Sequence, residues 1–174
     1  YIGTMTWLPQ LLIDRYALGQ EGAVIAYTLP VVVVGGFNLV GGWALRAGIA
    51  PGAVILVGLA AQATVWIAMP WLGPDAVGAG FLVLYAMGAG ITPTCLFALP
   101  GIVLGPGRAG AQAFGTLMVG RNLGVIGGPV AYAQAFALFG DWTSVGRFVA
   151  VLSLLPIVAV LPLLAARRTY GTRR

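Results

Sequence analysis

Apolar positions along the chain form six runs, each closed by a short polar or Gly/Pro-rich segment. The runs cover approximately residues 1–13, 23–45, 52–71, 77–104, 111–139 and 145–166. Each of the five longer runs reaches about 20 residues, which is the length that a helix needs to cross a bilayer. The pattern therefore predicts an all-α integral membrane protein with six transmembrane helices, short loops and no soluble domain between them.

The first apolar run is too short to cross a bilayer alone, because 13 helical residues rise only about 20 Å. The chain begins with Tyr1 inside this run. We therefore expect a fragment of a longer protein, in which residues 1–166 form one six-helix unit with a truncated first helix. Residues 167–174 are expected to form a basic tail. Pro93 and Pro100 predict that the fourth helix is broken.

Composition agrees with a membrane-embedded chain. Of 174 residues, 60% are hydrophobic and 7% are charged, whereas a soluble domain has about 25% charged residues. The chain has 27 Gly and 11 Pro, residue types that transmembrane helices tolerate better than soluble helices do. It has no His and one Cys, so we expect no intrachain disulfide, no metal site and no cofactor.

The distribution of charge predicts the orientation in the membrane. All nine basic residues are Arg. Six crossings place two arginines and all four acids on one side: Arg15, Arg147, Asp14, Glu21, Asp75 and Asp141. The other side receives Arg46, Arg108, Arg167, Arg168, Arg173 and Arg174. The positive-inside rule predicts that this second side, which includes the C-terminus, is cytoplasmic. We expect a bacterial-type inner or plasma membrane. The basic tail is interpreted as a membrane anchor, so no nucleic-acid partner is expected.

Arg121 is the strongest candidate for chemistry. It lies about 20 Å from Arg108 and about 30 Å from Asp141 along a helix, which places it inside the hydrocarbon core. A charge there costs at least about 2.5–3.5 kcal/mol, so it normally faces a polar cavity or a partner. One interpretation is that Arg121 contacts an anionic substrate or pairs with a carboxylate on the missing part of the protein. The alternative is that its side chain snorkels to the cytoplasmic headgroups or caps carbonyls in a packed bundle.

Other polar residues within the runs are weaker candidates for substrate binding. Asn122 and Asn38 are candidates to hydrogen-bond a substrate, although hydrogen bonds between helices explain them equally well. Thr94 flanks Pro93, and its hydroxyl is suited either to a site or to the backbone groups that proline frees. Gln10 in the first run completes the set of candidate substrate-binding residues.

Small residues beside Arg121 predict close helix packing. Gly120, Gly124 and Gly128 recur at i, i+4 spacing and form a ridge that admits a neighbouring backbone. Pro129 follows directly and predicts a bend.

Three local patterns resemble those of the major facilitator superfamily. Residues 7–11, WLPQL, resemble a segment common in the seventh helix of that family. Residues 42–48, GWALRAG, resemble the loop signature after the eighth helix, with Leu45 where the family has Asp. Gly115, Gly124, Gly128 and Pro129 are similar to the antiporter motif, without its terminal Gly-Gly. The chain thus resembles the C-terminal six-helix half of a major facilitator transporter.

The resemblance implies a central cavity, between this half and a missing N-terminal half, lined mainly by the first, second, fourth and fifth helices. The expected function is secondary active transport of a small solute by alternating access, with an anionic substrate as one candidate. A channel or a structural membrane subunit without carrier activity is the alternative. We expect no enzymatic activity, because such a site needs clustered acids or histidines and the apolar runs contain neither Asp nor Glu. The expected partners are the substrate, the lipid bilayer and the missing half.

Overall fold

The computed structural model describes residues 1–105 and 110–171, with side chains described except at positions 76, 103 and 162–171. Six α-helices follow one another through short connections. They are α1 (Ile2–Tyr16), α2 (Gln20–Arg46), α3 (Pro51–Ala68), α4 (Ala76–Leu104), α5 (Ala111–Phe139) and α6 (Trp142–Gly171), and a 3-10 turn at Met69–Trp71 extends α3. No strand occurs in the described part of the chain.

Five helices, α2 to α6, are long and apolar enough to cross a membrane. The sixth, α1, has 15 residues and rises only about 22 Å. The helical architecture that the sequence predicts is therefore confirmed, and its apolar helices indicate a membrane protein.

The expected break in α4 is wrong. The helix runs without interruption from Ala76 to Leu104 with Pro93 and Pro100 inside it. Helix α4 packs against both α2 and α3, and neighbouring helices allow prolines to be tolerated within membrane helices. Helix α5 also continues through Pro129, and the bend at this residue stays a prediction.

Helix ends are closed by local hydrogen bonds. Asp75 caps the start of α4 by accepting from the Gly78 N–H at 2.9 Å. Asp141 does the same for α6, with the Ser144 N–H at 2.8 Å, and the hydrogen bonds from Ser144 lower the pKa of the Asp141 carboxyl. Gly140 ends α5 in the left-handed region at φ 74°, which glycine adopts without the steric cost that other residues meet.

Contacts between helices run α2–α4–α3–α6, while α5 packs mainly against α1, which also contacts α2. Small residues bring several pairs close. A Cβ added at Gly88 would lie 2.4 Å from the Gly58 carbonyl oxygen, and one added at Gly3 would lie 2.9 Å from the Gly128 backbone. Of the predicted ridge, Gly128 therefore packs against α1, whereas Gly120 and Gly124 face open space.

Candidate functional site

Arg121 lies on the exposed face of α5. Ten residues separate it from the start of the helix at Ala111, which corresponds to about 15 Å of rise. Its Nη1 donates to the Asn122 side-chain oxygen at 3.3 Å. Both side chains are exposed. The structure thus brings two predicted site residues together on a surface that no described helix covers.

Asn38 and Thr94 form a contact between α2 and α4. The Thr94 hydroxyl is 3.1 Å from the Asn38 side-chain oxygen and 3.2 Å from its carbonyl oxygen. The Asn38 amide donates to the Val34 carbonyl at 3.0 Å. Both residues are half-buried, and their hydrogen bonds within and between helices favour the packing interpretation of these two candidates.

The Asn38–Thr94 pair and Arg121 lie at similar distances from one end of the bundle. Asn38 precedes the end of α2 at Arg46 by about 12 Å, and Thr94 precedes the end of α4 at Leu104 by about 15 Å. The start of α5 follows the end of α4 after a short connection, at the same end of the bundle. The two predicted groups therefore lie at a similar height along the bundle axis, although they are not in contact.

Gln10 does not share that level. Its amide donates to the Asp14 carboxylate at 2.6 Å, near the opposite end of α1. Gly3 on α1 and Gly128 on α5 are in contact and give a common reference point. Gln10 lies about 10 Å from this point toward the Arg15 end of the bundle, and Arg121 lies about 10 Å from it toward the opposite end. The two predicted site residues are thus about 20 Å apart along the bundle axis.

A polar network at this opposite end was not predicted. The Arg15 guanidinium donates to the Met69 and Pro70 carbonyls, at 3.1 and 2.9 Å, and to the Thr143 hydroxyl. Asp14 accepts from the Trp142 indole at 2.9 Å. In the sequence, Asp14 and Arg15 only mark the polar end of an apolar run. No sequence signal indicates the carbonyls that Arg15 meets.

A second unpredicted group lies in the interior. The Tyr85 hydroxyl donates to the Thr4 hydroxyl oxygen at 2.8 Å, and the Thr4 and Tyr132 hydroxyls are 2.7 Å apart. The Trp66 ring packs edgewise on both tyrosines, with centroid distances of 6.3 and 5.8 Å. We call Thr4, Tyr85 and Tyr132 the hydroxyl cluster. These residues belong to α4, α5 and α1, and only the tertiary contacts reveal that they converge.

The remaining predictions concern charges and metals. Arg108, Arg173 and Arg174, which the sequence assigns to the cytoplasmic side, lie outside the described residues, as do the side chains of Arg167 and Arg168. Within the residues that are described, no three His, Cys, Asp or Glu side chains come together as metal ligands.

Comparison of the chain with protein-family models, with curated proteins and with solved structures gives no match.

Proposed function

We propose that this chain is one six-helix half of a secondary transporter of the major facilitator type. It carries a small solute across the membrane by alternating access. The second half of the transporter covers the exposed faces of α2 and α5. Arg121, with Asn122 beside it, contacts an anionic group of the solute in the cavity between the halves.

The observation that carries this proposal is the position of Arg121. A guanidinium about 15 Å inside a 29-residue helix needs water or an opposite charge in the membrane interior. The partner that the described residues give it is a neutral amide on its own helix. A solute anion or a carboxylate on a second half supplies the missing charge.

The exposure of α2 and α5 supports a second half. In the membrane-spanning parts of these helices, only 11% and 6% of the residues are buried. In α4 the buried share is 39%. The faces of α2 and α5 are mainly apolar, with exposed residues such as Val32, Leu39, Leu123 and Ile126. Packing against another helical unit buries such faces.

Transport assays on the full-length protein in proteoliposomes test the role of Arg121. A panel of labelled carboxylates and phosphates is compared with uncharged sugars. We expect saturable anion uptake that Arg121→Ala reduces at least tenfold and Arg121→Lys partly retains. Arg147→Ala, which removes an exposed arginine near the start of α6, is the matched control and keeps full uptake. Undiminished anion uptake by a correctly inserted Arg121→Ala variant would exclude this role.

Counterflow separates a carrier from a channel. Vesicles preloaded with unlabelled solute accumulate labelled solute transiently when a carrier exchanges one molecule for another. A channel gives only equilibration. Uptake that neither saturates nor shows counterflow would favour the channel alternative.

A further inference from the structure

An open-sided cavity of about 290 Å³ lies between α1, α3, α4, α5 and α6, and Arg121 is not among the residues that line it. Side chains from five helices line it, among them Thr4, Gln62, Tyr85, Tyr132 and Ser153. None of its described lining residues has a charged side chain. A ligand that fits this cavity is therefore uncharged.

The volume of the cavity suits a compact organic molecule. A dry apolar cavity of about 150 Å³ holds benzene. The present cavity is roughly twice as large, so it accommodates one ring with a short substituent. The Trp66 ring, which also lines it, supplies a flat apolar wall for such a body.

Among the described residues, the hydroxyl cluster leaves one hydrogen without an acceptor. Three hydroxyls carry three hydrogens, but the cluster contains two hydrogen bonds. Because Tyr85 donates to Thr4, the remaining hydrogen belongs to Thr4 or Tyr132. Both residues line the cavity. An acceptor atom on a ligand in the cavity can therefore receive this hydrogen.

The cavity is open on one face, where five of its lining residues are exposed: Tyr1 at the start of α1, Ala131 on α5, and Phe148, Leu152 and Pro156 on α6. Ala131 lies about 12 Å from the end of α5, and Leu152 about 15 Å from the start of α6. In helices that cross a bilayer, these positions lie within the hydrocarbon region. The ligand therefore enters from the lipid and is lipophilic.

We propose that this cavity binds a small, uncharged, lipophilic molecule with one hydrogen-bond acceptor, such as an aryl ketone, ester or ether. The acceptor receives the free hydrogen of the hydroxyl cluster, and the apolar body lies against Trp66. The proposal does not rest on transport, since binding at this site needs neither Arg121 nor a second half.

Two matched probes test the proposal with the full chain in lipid nanodiscs. The probe 4-fluoroacetophenone carries a carbonyl acceptor, whereas 1-ethyl-4-fluorobenzene has nearly the same shape and none. Fluorine NMR titrations against empty nanodiscs separate saturable binding from partition into lipid. We expect saturable binding of both probes, with the ketone about three- to tenfold tighter, the range that one net hydrogen bond gives.

A triple variant, Thr4→Val with Tyr85→Phe and Tyr132→Phe, removes all three hydroxyls and leaves no orphaned partner among them. Replacing every partner by an apolar group of similar shape is nearly neutral for stability. The ketone is expected to lose its advantage, while the hydrocarbon binds as before. Ser153→Phe fills the cavity and abolishes saturable binding of both probes. Its control is Leu155→Phe, at an exposed position on the same helix.

Three results would overturn the proposal. One is an absence of saturable binding beyond partition into lipid. The second is saturable binding that survives Ser153→Phe, since the probe then binds elsewhere. The third is a ketone advantage that is absent in the wild type or unchanged in the triple variant, since the hydroxyl cluster then contributes no donor.

Discussion

Arg15 connects three helices through groups that only the fold brings together. Its guanidinium closes the C-terminal end of the α3 segment by donating to the Met69 and Pro70 carbonyls, and it reaches Thr143 at the start of α6. A cation is favoured at the C-terminal end of a helix, where carbonyls lack partners. Its Nε is buried without an acceptor within the described residues, so the hydrogen bonds of the two terminal nitrogens must offset that cost.

Replacing Arg15 by Met is expected to destabilise the protein by about 2–3 kcal/mol. The substitution keeps much of the apolar length of the side chain but leaves the Met69 and Pro70 carbonyls without their charged donor, and hydrogen bonds to charged groups contribute about 1.5–3 kcal/mol. The measurement is thermal or denaturant unfolding in detergent, with Arg147→Met as the control at an exposed position. Equal stability of the two variants would show that the Arg15 hydrogen bonds are not stabilising.

A comparison of Arg121 with Arg15 shows which properties of a single residue the sequence could predict. Arg121 stands alone in an apolar run, so its depth follows from counting residues. Arg15 stands at the end of a run, where arginine is common and uninformative. Two of its three partners are backbone carbonyls about 55 residues away in the chain. Backbone groups carry no residue identity, so no pattern in the sequence indicates them.

The same limit applies to polar pairs within the bundle. Asn38 and Thr94 were both chosen from the sequence because they are polar residues in apolar runs, and they do meet. Tyr85 and Tyr132 are less conspicuous, because aromatic residues are ordinary in membrane helices. Their convergence on Thr4 depends on how three helices pack, and this is information that the spacing of residues along one helix does not contain.

Helix contacts in this bundle depend on glycine where two backbones approach. At the α3–α4 contact, Gly58 and Gly88 face each other so closely that neither has room for a side chain. Gly120 and Gly124 on α5 have no atom within 4 Å of an added Cβ. The ridge that the sequence predicts at residues 120–128 is therefore packed only at its Gly128 end among the described helices.

Alanine substitutions distinguish these two kinds of glycine. Gly88→Ala is expected to destabilise the protein by about 1–3 kcal/mol, because the new Cβ would lie 2.4 Å from the Gly58 carbonyl oxygen and the helices must separate. Gly124→Ala is expected to be neutral or to stabilise this six-helix unit by up to about 1 kcal/mol, since alanine favours the helix. Unfolding in detergent measures both changes in the isolated 174-residue chain.

The Gly124→Ala variant also tests whether a second half packs against α5. If another helical unit packs on the free end of the ridge, Gly124→Ala destabilises the full-length protein while leaving the isolated unit unharmed. If Gly124→Ala is as harmless in the full-length protein as in the unit, the ridge faces lipid there. Unfolding of both proteins with the same variant separates these outcomes.

The existence and approximate limits of the helices follow from the sequence, whereas their continuity does not. Apolar length predicts α5 at the observed limits, Ala111–Phe139. The same reasoning fails at α4, since proline is a strong local signal for a break. The helix continues because neighbours on two sides hold it. The local sequence therefore determines where these helices begin and end, whereas tertiary packing determines whether a helix continues through a proline.

At the scale of the whole molecule, the connections between helices alternate between two ends of the bundle. The α1–α2, α3–α4 and α5–α6 connections lie at the end that carries the Arg15 network, as its contacts with the α3 end and the start of α6 require. The α2–α3 connection, the end of α4 and the start of α5 lie at the other end. Arg46 closes α2 at that second end, and Asp75 and Asp141 lie at the first. The first end also carries Arg15 and Arg147. The prediction that the second end is cytoplasmic therefore comes from the count over the whole sequence, six arginines against two.

Labelling from each side of the membrane tests this orientation. Cys95 is the only cysteine in the sequence, so Cys95→Ala provides a background for single cysteines at Ala47, in the α2–α3 connection, and Pro74, in the α3–α4 connection. Both positions are exposed. A membrane-impermeant maleimide is expected to label the Pro74→Cys variant in intact cells and the Ala47→Cys variant only in inside-out vesicles. The reverse pattern would invert the orientation. Labelling of both positions from one side would show that α3 does not cross the membrane, and the alternation on which the proposed carrier depends would then be lost.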